Sequence, residues 1–306
     1  SLAANFAVSL AAVGGPHFDA LLNALCNRLE SSQSAEKFAM CRLIANILKL
    51  STKLELPTTM STTEAHWSAT IRDSLFGIIK NRLSVKMRND VLQLASHITL
   101  AFDGVDWIKA SGWNENYSTF FILLLRVVSI EVQLALSAYF YPPAENSANT
   151  ECQTLGASLI LFEHFMLAFI TNLIDDETEG GDKPSKSDGI TGDHRLRIGN
   201  DLILSSIKAI NETMSKVIEF LKEASEQKEL NNDALHLVVA SIRILCIYLH
   251  EESEAQRQKE VADILPFILN LIKTSKIESI YTQVMDTMEM LAQNEEMMRN
   301  VIEQHK

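Results

Sequence analysis

The sequence predicts an all-α fold, an armadillo/HEAT-like α-solenoid of stacked helical hairpins, on three observations. Apolar residues recur three and four apart in almost every stretch between loops, which is the period of one helix face. Gly (11) and Pro (6) are scarce, and the alternating Val, Ile and Thr runs that mark strands are absent. Paired helical patterns return about every forty to fifty residues, the spacing of HEAT and armadillo arrays, although their letters do not repeat. Length alone would suggest about two domains, but elongated repeat folds ignore that division. The expectation is therefore a single α-solenoid over residues 1–306.

Ser1–Val13 is helical in pattern from its first residue, which predicts a piece cut from a longer solenoid. After Gly14-Gly15-Pro16, the segment His17–Leu29 places Phe18, Leu21, Leu22, Leu25 and Leu29 at helical spacing. Ser34 is the predicted N-cap of Ala35–Leu50, whose Phe38, Cys41, Ile44 and Leu48 face inward. A Thr-rich connection with Pro57 leads to a helix over Thr63–Leu83 that buries Trp67, Ile71, Leu75 and Ile78. Ser84 is expected to cap Val85–Phe102, with Leu92, Ala95 and Ile98 as its stripe. Asp103–Trp107 reads as a turn and a short helical piece. Tyr117–Tyr139 is long and mostly apolar, so it is placed centrally, and Pro142-Pro143 ends it.

The next helix, Ala148–Ile174, contains an apolar run, Leu155–Ile174, of about the 20 residues a membrane span needs. Glu163 and His164 stand at its centre. A carboxylate there costs roughly 3 kcal/mol on insertion, and no basic flank sets an orientation, so a buried helix and no transmembrane span are expected. Asp175–His194 is rich in Gly, Asp and Ser with no recurring apolar residue, which predicts a flexible acidic insertion. Arg197–Ala224 carries Ile203, Ile207, Ile210, Met214, Val217 and Leu221. Asn232–Lys273 then states the hairpin unit most fully. Its first half, Ala234–Leu249, is apolar nearly all round; its second sets Val261, Ile264, Leu265, Ile268, Leu271 and Ile272 on one side. Ile277–His305 closes the chain with a Met-rich helical pattern.

Net charge is −12 and the pI is near 5.2, which argues against nucleic acid and for a basic partner. Cys26, Cys41, Cys152 and Cys246 are far apart with no CxxC pair, which predicts buried free thiols in a reducing compartment. No nucleophile elbow, phosphate-binding loop or dinucleotide fingerprint occurs. His250-Glu251-Glu252-Ser253-Glu254 lacks the second His of a zinc helix. The calcium-like start at Asp175 has Lys186 where a bidentate Glu is required. No catalytic residue, metal or cofactor is expected.

Two surface features remain. His236, Arg243 and His250 are seven apart, so they form one polar line along an apolar helix, a candidate peptide-contacting edge. Lys80, Arg82, Lys86 and Arg88 are four basic residues with no acid among them, a candidate patch for an acidic lipid or phosphate group. A plainer reading is that Lys80 and Arg82 complement the negative end of their helix.

Five blocks resemble the neurochondrin (norbin) family: Lys37–Leu43, Asp106–Ile108, Ile130–Leu136, Ala240–Leu245 and Lys259–Phe267. They run in order between about Leu10 and Lys273. The resemblance implies a cytosolic, non-enzymatic armadillo-like adaptor. It also implies binding to cytoplasmic tails of G-protein-coupled receptors, modulation of signalling and neurite outgrowth, and a location at neurites and the inner face of the plasma membrane. An armadillo-type transport or assembly adaptor for basic cargo is the alternative.

Overall fold

The computed structural model describes residues 15–53, 66–102, 104–109, 115–139, 148–178, 200–227, 229–251, 260–275, 281–282 and 284–287. Regular structure among them is helical. In chain order the elements are α1 (Gly15–Ser31), α2 (Ser34–Lys53), α3 (His66–Ile79), α4 (Val85–Ala101) and α5 (Asp106–Lys109). There follow α6 (Glu115–Tyr139), α7 (Ala148–Thr178), α8 (Asn200–Glu226), α9 (Asn232–Glu251) and α10 (Leu265–Ser275). The chain divides into two compact units, Ser1–Val128 with His164–Ser206, and Ser129–Glu163 with Ile207–Lys306.

In the first unit α1 packs on α2 and α3, and α2 packs on α4. Arg28 Nε donates to Glu36 Oε1 at 2.9 Å across the α1–α2 turn, and the Trp67 and Phe102 rings, 5.5 Å apart, close the open end of α3–α4. Trp67 Nε1 donates to Asp19 Oδ1 at 3.3 Å, joining α3 to α1 across 48 residues of sequence. The Arg42–Asp90 ion pair joins α4 to α2 across the same 48 residues. Both contacts span 48 residues of sequence. Fully buried Trp67, Trp107, Phe120, Phe121 and Phe165 fill the interior. Each such side chain stabilises by roughly 2–3 kcal/mol through burial.

Arg72 lies within that apolar interior, only 1% exposed. Its Nη1 donates to the Ile108 carbonyl at 3.1 Å and its Nη2 to the Tyr117 hydroxyl at 2.7 Å. The guanidinium carbon lies 3.6 Å from the Tyr117 ring centroid, and Nε donates to Asp73 Oδ1 at 2.9 Å. One side chain on α3 thus ties down α5 and the start of α6.

In the second unit, side-chain contacts again join helices distant in sequence. Gln133 Nε2 on α6 donates to Thr213 Oγ1 on α8 at 3.0 Å, and Arg243 Nη2 on α9 donates to Glu163 Oε1 on α7 at 2.6 Å. Both pairs are 80 residues apart. The two α8–α9 partners Asn211 and Tyr248 meet at 3.0 Å, as an antiparallel hairpin requires.

Several helix ends differ from the sequence expectation, each for a local reason. The helix starting the first hairpin begins at Gly15, not after Pro16, because a proline in a first turn gives up only an N–H that has no helical acceptor. α3 stops at Ile79 rather than Leu83: the Asn81 side-chain amide donates to the Gly77 carbonyl at 2.7 Å and its backbone N–H turns to Ile78, drawing the chain out of the helix. Ser84 caps α4 as expected, in extended conformation, accepting from the Met87 N–H. The predicted turn after α4 needs Gly104, whose φ of 149° side-chain-bearing residues rarely adopt. α7 runs on to Thr178, so the first residues of the expected insertion are helical, and residues 179–199 lie outside the described set. Beyond α9 the expected helix over 259–273 is broken: Pro266 disfavours helical backbone before it, and α10 starts at Leu265 after a turn. Of the Met-rich segment, residues 281–282 and 284–287 are described, with Val284 and Thr287 buried.

Cys26, Cys41 and Cys246 are buried free thiols, as expected; the Cys152 side chain is outside the described set. Burial pushes Cys26 and Cys41 up to about 12 and raises Cys246. The thiolate is the reactive form, so it is suppressed in the native state at pH 8. Thiol-reagent labelling at that pH is expected to be at least about a hundredfold slower in the native protein than in denaturant. Mass spectrometry locating fast native labelling at Cys26 or Cys41 would contradict this. Because these pKa values rise above the ordinary thiol value of 9.0, the associated stability is full below about pH 9 and is lost as pH climbs toward 12.

Candidate functional site

The polar line on α9 is only partly what its spacing predicts. His236 is exposed near the start of the helix. Arg243, two turns on, is turned against α7, where Glu163 takes its Nη2; their side chains are 41% and 13% exposed. The His250 side chain lies outside the described residues. A seven-residue spacing sets three side chains on one face but does not say what that face meets. Here the middle of it meets a carboxylate. Glu163, noticed in the sequence as a misplaced charge in an apolar run, has its explanation in the same contact.

That contact bears on the membrane question too. By length and composition three described helical segments could cross a membrane: Tyr117–Tyr139, Thr154–Thr171 and Asn232–Leu249. Glu163 and Arg243 belong to the second and third of them and neutralise each other.

The four basic residues of the second feature lie around one turn. Lys80, Arg82 and Lys86 are exposed around the α3–α4 turn, and Arg88 is half-buried with Nη1 donating to the Leu83 carbonyl at 3.3 Å. Lys80 Nζ lies 3.5 Å from the Phe76 ring centroid. Lys80 and Arg82 follow the C-terminus of α3, where positive charge is favourable. Lys86 and Arg88 stand instead in the first turn of α4, which has no acidic residue and where positive charge is unfavourable. Helix-end complementarity therefore accounts for one half of the cluster and not the other. Beside it, Val85 is 62% and Met87 36% exposed. This corner can accept an anion with an apolar edge.

One outward face was not visible in the sequence. α6, expected to be buried centrally, leaves Ile130 and Leu134 exposed at 54% and 60%. Its near-continuous apolar character hides them: only the partner of Gln133 shows which side is inside. No group of three or more His, Cys, Asp or Glu able to hold a metal occurs among the described residues.

Among the described residues these features define an all-α protein. The neurochondrin family model matches residues 1–301, and the chain belongs to that family. It is 27% identical to the neurochondrins of Bos taurus, over 262 residues, and Homo sapiens, over 259 residues. Those alignments cover 85% of this chain and 29% of each relative. A neurochondrin homolog of Drosophila melanogaster is 22% identical over 262 residues, covering 84% of this chain and 31% of that protein. The chain thus spans less than a third of the length of these relatives. No solved structure matches it.

Proposed function

We propose that the chain is a non-enzymatic, cytoplasmic scaffold in which the hairpins form one armadillo/HEAT-like α-solenoid. It binds cytoplasmic tails of G-protein-coupled receptors and so modulates signalling and neurite outgrowth. The observation that carries this reading is membership of the neurochondrin family over residues 1–301. Charge supports it: at −12 the chain attracts basic segments, such as those just inside a membrane, chiefly by raising the association rate. The three long apolar helices are read as packing elements, not as spans. The exposed end of the α9 line, His236, and the basic corner Lys80, Arg82, Lys86 and Arg88 are its proposed contact points, the corner meeting anionic head groups while the acidic remainder takes the tail.

One titration tests both parts. A fluorescent receptor-tail peptide is expected to bind with a Kd that rises about tenfold between 50 and 300 mM salt, since solvent-exposed charge pairs are screened over such distances. Absence of binding overturns the scaffold, and a salt-independent Kd overturns its electrostatic part. A basic nuclear-localisation peptide binding more tightly than the tail would favour the cargo-adaptor alternative. In parallel, exchanging the four basic residues for Gln is expected to reduce binding to anionic liposomes, and unchanged liposome binding removes the corner from the site.

A further inference from the structure

In the second unit α6 and α8 form one outward face, which as a docking surface rests on the scaffold reading. Gln133 points from α6 at Thr213 of α8, which sets the facing direction of each helix. At about 100° per residue, Ile130, Leu134 and Ser137 lie roughly 40–100° round from Gln133 in one sense. Glu212, Lys216, Glu219 and Glu223 lie roughly 60–120° round from Thr213 in the opposite sense. Tyr139 and Phe220, six and seven residues further on, also meet, with ring centroids 5.7 Å apart, so the two helices run parallel and these two sectors open on the same side.

The register brings apolar and acidic groups alongside each other. With Gln133 level with Thr213, Glu212 stands beside the gap between Ile130 and Leu134, and Glu219 and Glu223 follow along the same edge. Ile130 and Leu134 are among the most exposed large apolar side chains described. Of the acidic groups, Glu212 has Lys208 at 3.8 Å and Glu219 has Lys216 at 2.5 Å, both exposed pairs on α8 itself that a competing cation can displace.

We infer that this face docks a basic amphipathic helix of a partner protein. Two apolar side chains of the incoming helix would cover Ile130 and Leu134, and its Lys or Arg residues would lie along Glu212, Glu219 and Glu223. Residues four apart on one helix presenting an apolar strip are the usual receptor for such a segment. Charge selects among occupants. An anionic membrane or a nucleic acid meets an acidic rim. A second copy brings its own net charge of −12, and a two-fold contact would set these same carboxylates near one another. Only a basic partner both covers the leucine and isoleucine and lowers the local repulsion. Glu223 carries a mark of that repulsion: partial desolvation, and then its neighbours Glu219 and Glu226, hold its carboxyl above the ordinary carboxylate range.

The probe is a synthetic helix of about 18 residues, five turns, with leucine on one face and lysine on its flank. Wild-type chain is expected to bind it, and Ile130→Asp with Leu134→Asp is expected to weaken binding at least about tenfold, as loss of a central apolar anchor does. Glu212→Lys, Glu219→Lys and Glu223→Lys together are expected to do the same. Ile130, Leu134, Glu212 and Glu219 are exposed and Glu223 is half-buried, and far-ultraviolet dichroism and thermal melting check that the variants stay folded. The inference is overturned if the wild type does not bind the probe or if either set of substitutions leaves the affinity unchanged. It is equally overturned if sedimentation shows a dimer that the Ile130 and Leu134 changes dissociate. A chain that binds this probe but no receptor tail would refute the receptor reading while leaving the face intact.

Discussion

Replacing Arg72 with Ala is expected to lower the free energy of unfolding by about 3–5 kcal/mol, the largest single effect in the described structure. The side chain is 1% exposed and bonds groups on α5 and α6, so its removal strands the buried Ile108 carbonyl and leaves a cavity against Tyr117. Arg72→Met keeps most of the volume and loses the hydrogen bonds, so about half of that loss is expected. Asp73→Ala is expected to cost less than about 1 kcal/mol, because Asp73 is 62% exposed and its pairing with Arg72 is shared with solvent. Urea unfolding reads all three. Arg72→Ala unfolding within about 1 kcal/mol of wild type would mean that the guanidinium does not hold these helices together.

Arg243→Ala is expected to destabilise by about 2–3 kcal/mol, because it leaves Glu163, 13% exposed, as an unpaired carboxylate among apolar side chains. The figure sits below that of a fully buried pair because the Arg243 side chain is 41% exposed. Replacing both residues with Leu is expected to recover most of the loss, giving a coupling of about 1–2 kcal/mol in a double-mutant cycle. Purely additive effects would show that the pair does not act as a unit. The double substitution also separates packing from recognition: peptide binding lost in Arg243→Ala but retained in the double Leu variant belongs to stability, not to contact.

Helix type was legible among the described residues because helical period survives in almost every segment. Helix ends were less so. The stop at Ile79 depends on one Asn81 side chain reaching Gly77, and the break before Leu265 on a proline whose neighbours read as helix. The candidate site was legible in part. Four clustered basic residues stay clustered in space because they flank one short turn. Arg243 could not be placed by spacing, since its partner lies 80 residues away and is set by the register between α7 and α9. Ile130 and Leu134 were hidden by their own apolar surroundings. A helix that is greasy on every side gives no sign of which side is left open.

Within each unit the two cross-helix contacts share one offset, 48 residues in the first and 80 in the second, and this bears on how the chain can change length. Trp67–Asp19 and Arg42–Asp90 keep step with each other, as do Gln133–Thr213 and Arg243–Glu163, only while each hairpin retains its internal count of residues. A residue gained inside a hairpin would swing everything after it by about 100° and carry one of these partners out of reach. A residue gained between hairpins swings nothing. Part of the step from an offset of 48 to one of 80 lies inside a helix, since α7 has 31 residues where α2 has 20, so these two spacings are set by helix length as well as by the connections.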